Sequence, residues 1–277
     1  MATLSKTGQT LYFLKLGGSL ITDKSKPHTH RPEALERLAE EIAAVFNQQA
    51  GLKLVVGHGS GSFGHFPAKR YGTRQGVRTP EEWLGFAEVW YEATSLTRIV
   101  VEALRRANLP VVSFSPSASA ISQNGKIKTW DMEPLRAALT AGLLPLTHGD
   151  VAFDQGWGGT ILSTEDLFEY MTQYLHPERI LLAGIEPGVW EDYPKCEKLA
   201  GEITPHTLAE YFPALAGSRN PDVTGGMASK VQQSLALIEA HPWLSVQIFS
   251  GDTPGNVRRA LQGEVVGTLL HAGKSGV

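Results

Sequence analysis

Three glycine turns in this chain each carry a cation. In KLGGS, residues 15–19, Lys15 ends an apolar run just before Gly17, Gly18 and Ser19, and Lys24 follows after ITD. GSGSFGH, residues 59–65, closes on His65, and DVTGGMASKV, residues 222–231, sets Lys230 shortly after the Gly225-Gly226 pair. Glycine keeps side chains out of the way of an approaching ligand, and the successive N–H groups of such turns form an anion-binding concavity. A helix starting there adds the positive end of its dipole. Any one turn alone reads equally as a capped helix with a surface lysine. Three turns with Lys or His in each point to a shared phosphate chemistry.

GSGSFG at 59–64 also fits the dinucleotide pattern G-x-G-x-x-G. That fold needs the pattern after its first strand and an acidic residue about twenty positions later at the end of a second strand. Here the preceding run LKLVVG is the second strand of the chain, and Glu81 and Glu82 lie in RTPEEWLG, which reads as a helix start. The Walker pattern G-x-x-x-x-G-K-[ST] is absent as well. The turns therefore suit phosphates presented by some other arrangement.

The elements that must position these turns are legible from the apolar pattern. Runs at 11–16, 52–57, 109–115, 143–149, 179–184 and 246–251 read as strands. Helical spacing fills 31–49, 81–108 and 228–242. The alternation predicts an α/β protein with an open, mainly parallel sheet, and the Pro- and Gly-rich stretch 185–226 puts a lobe boundary near His176-Pro177. A chain of 277 residues, 42% hydrophobic, can bury one large core or two joined lobes. The net charge of −3 and the lack of a basic run exclude a nucleic-acid footprint, and no apolar run reaches the ~18 residues of a membrane span. The single cysteine, Cys196, excludes an internal disulfide and reads as a structural residue. Without a signal-peptide pattern at the N-terminus, a cytoplasmic location is expected. His28, His58 and His148 read as structural.

KLGGS at 15–19, the glycine turn at 59–62, PLTHGD at 145–150, LSTED at 162–166 and DVTGGMASKV at 222–231, in this order, resemble the amino acid kinase family over nearly the whole chain. The extension SFGH ending in His65 is similar to that of its isopentenyl phosphate kinases, and GVWEDYPK at 188–195 to their adenine-side loop. Ser60, where a glycine is usual, and LSTED, where LSGDD is commoner, are departures. The resemblance implies one three-layer α/β/α domain, with residues 1–176 binding the acceptor and 177–277 the nucleotide. It implies transfer of a phosphoryl group from ATP, with Mg2+, to isopentenyl phosphate, and a homodimer. Lys15, Lys24 and Lys230 would stabilise the transferring group, and His65 would bind the acceptor phosphate. Gly17, Gly18, Ser19, Gly61, Gly184 and Gly226 would lie at the nucleotide, and Ser60, Gly61 and Gly159 at the acceptor. Asp166 would orient the lysines and, with Asp150, support the magnesium environment, no residue being assigned as a metal ligand. Phe86, Val89 and Trp90 offer an apolar slot for the isoprenoid tail, or an ordinary core stripe. A kinase for another small phosphate or phosphonate, such as fosfomycin, and a non-catalytic nucleotide-binding member of the fold are the alternatives.

Overall fold

The computed structural model describes residues 10–211 and 226–273. Strands β1 (Thr10–Leu16), β2 (Leu52–His58), β3 (Val111–Ser113), β6 (Leu144–His148), β9 (Arg179–Gly184) and β11 (Ser245–Ser250) are the six apolar runs of the sequence. With β10 (Glu202–Ile203) and β12 (Thr268–Leu270) they form an eight-stranded sheet in the order β10-β12-β11-β9-β1-β2-β6-β3. The six runs are mutually parallel, and β12 pairs antiparallel with β11. β3 is shorter than its apolar run because Pro110 precedes it and residues 112–113 lie exposed at the sheet edge.

A parallel sheet covered on both faces needs apolar residues at consecutive positions, and β1 supplies them. Tyr12, Leu14 and Leu16 pack on one side under helices α2 (Pro32–Phe46) and α4 (Pro80–Arg106), through Leu38, Ile42, Leu96 and Val100. Leu11 and Phe13 pack on the other under α6 (Thr164–Leu175) and the helix Gly226–Ala240, through Phe168, Met171, Val231 and Leu235. The fold is thus a three-layer α/β/α sandwich. Helices α1 (Gly18–Ile21), α3 (Gly61–Tyr71) and α5 (Glu133–Thr140) complete this half of the chain, and Asn256–Leu261 covers the far end.

A second sheet was not foreseen. β4 (Ile121–Gln123), β5 (Lys126–Thr129), β7 (Asp150–Asp154) and β8 (Gly158–Leu162) pair in the order β5-β4-β7-β8. β4 and β5 are short and polar, and Asp154 organises the adjoining turns by accepting from the N–H groups of Asn124, Gly125, Gly156 and Trp157. This sheet leaves the main one at Gly149 and returns through β8 to α6, so it stands as a wall beside the C-terminal ends of the parallel strands. Side chains of Val77, Phe86 and Val151 form the small core behind it.

The ends of β2 and β6 carry a buried histidine pair. His58 lies opposite His148 in the register, and the rings stack with centroids 5.4 Å apart and planes 12° apart. Burial, followed by the charge of His148, drives the His58 pKa down to about 3, and burial lowers that of His148 to about 4. Both therefore fold as neutral rings that the unfolded chain would protonate near pH 6.5, so their contribution to stability is lost as pH falls from about 6.5 toward 4. Asp150, whose pKa burial raises to about 6, acts in the opposite sense between about pH 4 and 6. Denaturation midpoints measured from pH 7 to 4.5 should fall steeply for the native chain and less steeply for His148→Phe; equal slopes would contradict this account.

Candidate active site

The turns that follow β1, β2 and β9 meet at one end of the sheet, beside the point where strand order reverses between β9 and β1. In open α/β sheets ligands bind in such a crevice. The parallel register brings the first two strand ends level, with Leu16 opposite His58. Their turns then touch backbone to backbone: a Cβ at Gly18 would come within 2.7 Å of Gly61 Cα and N, and one at Gly59 within 3.0 Å of Gly18 N. Gly61 adopts φ 51, and a Cβ there would meet Thr22 Oγ1. Thr22 Oγ1 donates to the Gly18 carbonyl at 2.7 Å and accepts from Ser62 N–H at 2.9 Å.

A cavity of about 390 Å³ opens over this junction. Lys15, Gly17, Gly18, Ser19 and Lys24 line it from the first turn, Ser60, Gly61 and His65 from the second, and Gly184, Gly226 and Lys230 from the C-terminal part of the chain. SFGH is the opening turn of α3 rather than a loop extension. Gly61, Gly64, His65 and Ala68 lie on one helical stripe, and all four line the cavity. His65 is thereby aimed at the same space as the N–H groups of the helix N-terminus.

Lys15 shares the face of Leu11 and Phe13, so its side chain runs under the N-terminus of α6, where Nζ meets Glu165 Oε1 at 2.8 Å. Burial acts to raise the Glu165 pKa, but the charge and hydrogen bond of Lys15, and then the charge of Lys230, outweigh it and leave the carboxyl below its ordinary value. Glu165 therefore stands between two cations. Asp166, expected to orient the lysines, is instead the helix cap: its carboxylate accepts from Ser163 N–H at 2.7 Å while Ser163 Oγ accepts from Asp166 N–H at 3.1 Å. Ser163-x-x-Asp166 is a capping-box spacing, and that pattern alone singles out Glu165 as the acid left over for a lysine. Asp150 is buried on the N–H groups of Ser117 and Val151 and does not line the cavity. Gly159 does not line it either; a Cβ there would meet the Phe86 ring at 2.9 Å.

Thr164, in place of the commoner glycine, donates to the His58 carbonyl at 2.7 Å and fills the space that Gly57 leaves open. Beside His65, Ala68 from α3, Val89 from α4 and Ile161 from β8 contribute apolar lining to the cavity. Of the anticipated slot only Val89 takes part. Phe86 packs against Trp83 and Phe153, and Trp90 is exposed elsewhere. Farther along the cavity Trp190 and Tyr193 of the 188–195 loop line it with Cys196, and Trp190 Nε1 donates to Glu186 Oε2 at 3.1 Å. Arg74, also lining it, was not anticipated from the sequence; it reaches Asp166 Oδ2 at 3.4 Å. Residues 222–225 of the third turn lie outside the described residues.

The chain matches the amino acid kinase family over residues 10–250, from the first residue of β1 to the last of β11. It belongs to the amino acid kinase family. Among the relatives of this amino acid kinase, the isopentenyl phosphate kinase of Methanocaldococcus jannaschii is 32% identical over 94% of this chain and 98% of its own length. That of Methanothermobacter thermautotrophicus is 33% identical over 95% and 100%. A crystal structure described as isopentenyl phosphate kinase superposes with a TM-score of 0.79 at 29% identity, covering 94% of this chain and 99% of that one. The T. acidophilum isopentenyl phosphate kinase product complex shares the fold, with a TM-score of 0.74 at 23% identity over 95% and 100%.

The division of labour between the two adjacent acids is directly testable. Glu165→Gln keeps the shape and removes the counter-charge of Lys15, and kcat should fall by about 10-fold or more because the loss bears on charge stabilisation at the transferring group. Asp166→Ala should cost about 1 kcal/mol of stability as a lost cap with kcat within about threefold of the native value. The reverse pattern in steady-state kinetics and denaturation would return the lysine-orienting role to Asp166.

Proposed function

We propose that this amino acid kinase transfers the γ-phosphoryl group of ATP to isopentenyl phosphate, giving isopentenyl diphosphate and ADP. The observation that carries the reading is the meeting of Lys15 and Lys24 from the first glycine turn, His65 from the second and Lys230 from beside the third in a single cavity that has an apolar wall. The relatives named isopentenyl phosphate kinase, matched along nearly their full lengths, support this acceptor.

An oxygen of the acceptor phosphate attacks the γ-phosphorus while the bond from that phosphorus to the departing ADP oxygen breaks. A phosphate monoester is largely ionised at neutral pH, with a second pKa near 6, so its attacking oxygen needs little help from a base. The protein's task is to hold two anions in line and to neutralise the charge spread over the transferring oxygens. His65 and the N–H groups at Ser60 and Gly61 hold the acceptor phosphate. Ala68, Val89 and Ile161 take the isoprenoid tail. Lys15 and Lys24 face the transferring group from one side and Lys230 from the other, while Gly184, Gly226 and the rings of Trp190 and Tyr193 receive the nucleotide. Residues 1–176 thus serve mainly the acceptor and 177–277 the nucleotide.

Among the described residues no three His, Cys, Asp or Glu side chains come together to hold a metal ion, and Glu165 is engaged by Lys15. This donor set fits a magnesium ion carried by the ATP phosphates and water, the usual manner for this cation. When bound, it would add positive charge to the β- and γ-phosphates. No helix among the described residues is long and apolar enough to cross a membrane. A cytoplasmic location and a homodimer belong to the same reading, and sedimentation of the purified chain tests the second.

His65→Ala should lower kcat/KM for isopentenyl phosphate by roughly 10- to 100-fold through loss of a charge-assisted hydrogen bond, with KM for ATP unchanged. His65→Gln keeps an N–H donor and should recover part of the loss. Kinetics with isopentenyl phosphate, fosfomycin and acetylglutamate as competing acceptors measure both; turnover only with one of the latter two, or a His65 defect confined to ATP, would overturn the assignment.

A further inference from the structure

Residues 22–30, between α1 and α2, carry Lys24 out to the cavity on a loop exposed from 24 to 28. Its base is pinned several times. Thr22 and His30 form an antiparallel bridge, Asp23 N–H donates to the Thr29 carbonyl at 2.9 Å, and the Ser62 hydroxyl both accepts from Thr29 N–H and donates to Thr29 O at 3.2 Å. The outer limb is held differently. His28 Nδ1 lies 2.7 Å from Glu92 Oε2 on α4, and the ring stands edge-on to Phe63 of α3 at 5.7 Å. Glu92 is nearly buried, with a side chain 11% exposed. His28 takes φ 50, a left-handed conformation uncommon for a residue with a Cβ and kept where surrounding contacts impose it.

The two anchors are not arbitrary. Glu92 follows Val89 by one turn on α4, so the helix that supplies part of the apolar wall also holds the loop. Phe63 belongs to α3, the helix that presents His65. We infer that His28 is a positioning residue: through Glu92 it fixes the loop that brings Lys24 to the acceptor side of the cavity. The short Nδ1–Oε2 distance is that of a ring N–H donating to the carboxylate. The inference rests on the phosphoryl-transfer reading above.

His28→Asn retains a residue tolerant of left-handed backbone and removes the imidazole. Glu92→Leu removes the acceptor from the helix side. Each should lower kcat by about 10-fold, since misplacement of a catalytic group by about 1 Å costs up to 10²-fold, with KM for ATP within twofold. The double variant should be no slower than the worse single, and Glu92→Gln, which keeps an oxygen for Nδ1–H, should fall in between. If His28 acts through Lys24, His28→Asn should have no further effect in a Lys24→Met background, read from single-turnover rates with labelled ATP. Amide exchange over 23–29 should quicken in His28→Asn, a readout independent of activity. A native chain that fails to phosphorylate isopentenyl phosphate would sink the kinase reading and leave that exchange result standing. Native kcat in both singles, additive losses in the double, or an undiminished His28→Asn penalty without Lys24 would overturn the inference.

Discussion

The ion pair between Lys15 and Glu165 joins the middle of the main sheet to the start of α6, and the other cations that line the cavity are arranged around it. Strict alternation along β1 leaves the last outward position of one face to a lysine. That position lies under a helix N-terminus, where a carboxylate is favoured by the dipole. A carboxylate so little exposed would be costly without a partner. Because Lys230 also bears on its ionisation, Glu165 lets two cations from distant parts of the chain approach a common space against their mutual repulsion.

The spacing between the first two glycine turns is set by backbone. The turns after β1 and β2 touch through glycines, with no side chain between them, and the parallel register keeps their strand ends level. Two phosphates seated on these turns would therefore have their separation fixed by the sheet itself, which does not repack as a side chain does. Around that rigid junction the remaining parts are carried on longer levers: the 22–30 loop, the 188–195 loop and the helix bearing Lys230.

Much of this is legible in the amino-acid sequence. Five of the six parallel strands announced themselves because both of their faces are largely buried, which writes a continuous apolar run into the sequence, and the edge strand β3 keeps only a short one. The second sheet did not, since Ile121–Gln123 and Lys126–Thr129 are short, polar and stabilised by Asp154 from elsewhere in the chain. The glycine turns and their lysines could be found because phosphate chemistry restricts residue type at each position. The capping role of Asp166 was missed because the two acids of LSTED are adjacent and only their helical phase separates cap from lysine partner. Arg74 carries no signal: it follows a helix that the sequence did not reveal, and its place depends on tertiary packing. His28 looked like one histidine among nine, since its partner Glu92 lies on a helix face that reads as ordinary amphipathic pattern.

The central place of β1 bears on how the chain assembles. Its neighbours are β2, made soon after it, and β9, whose Leu182 faces Lys15. One edge of β1 thus stays unpaired until β9, far along the chain, has been synthesised. Long-range parallel pairing of this kind is slow to form and leaves a sticky edge open to other chains in the meantime. The strand on which the phosphate chemistry depends is thus paired in full only late, and the interval before β9 arrives is when that edge is most open to the wrong partner.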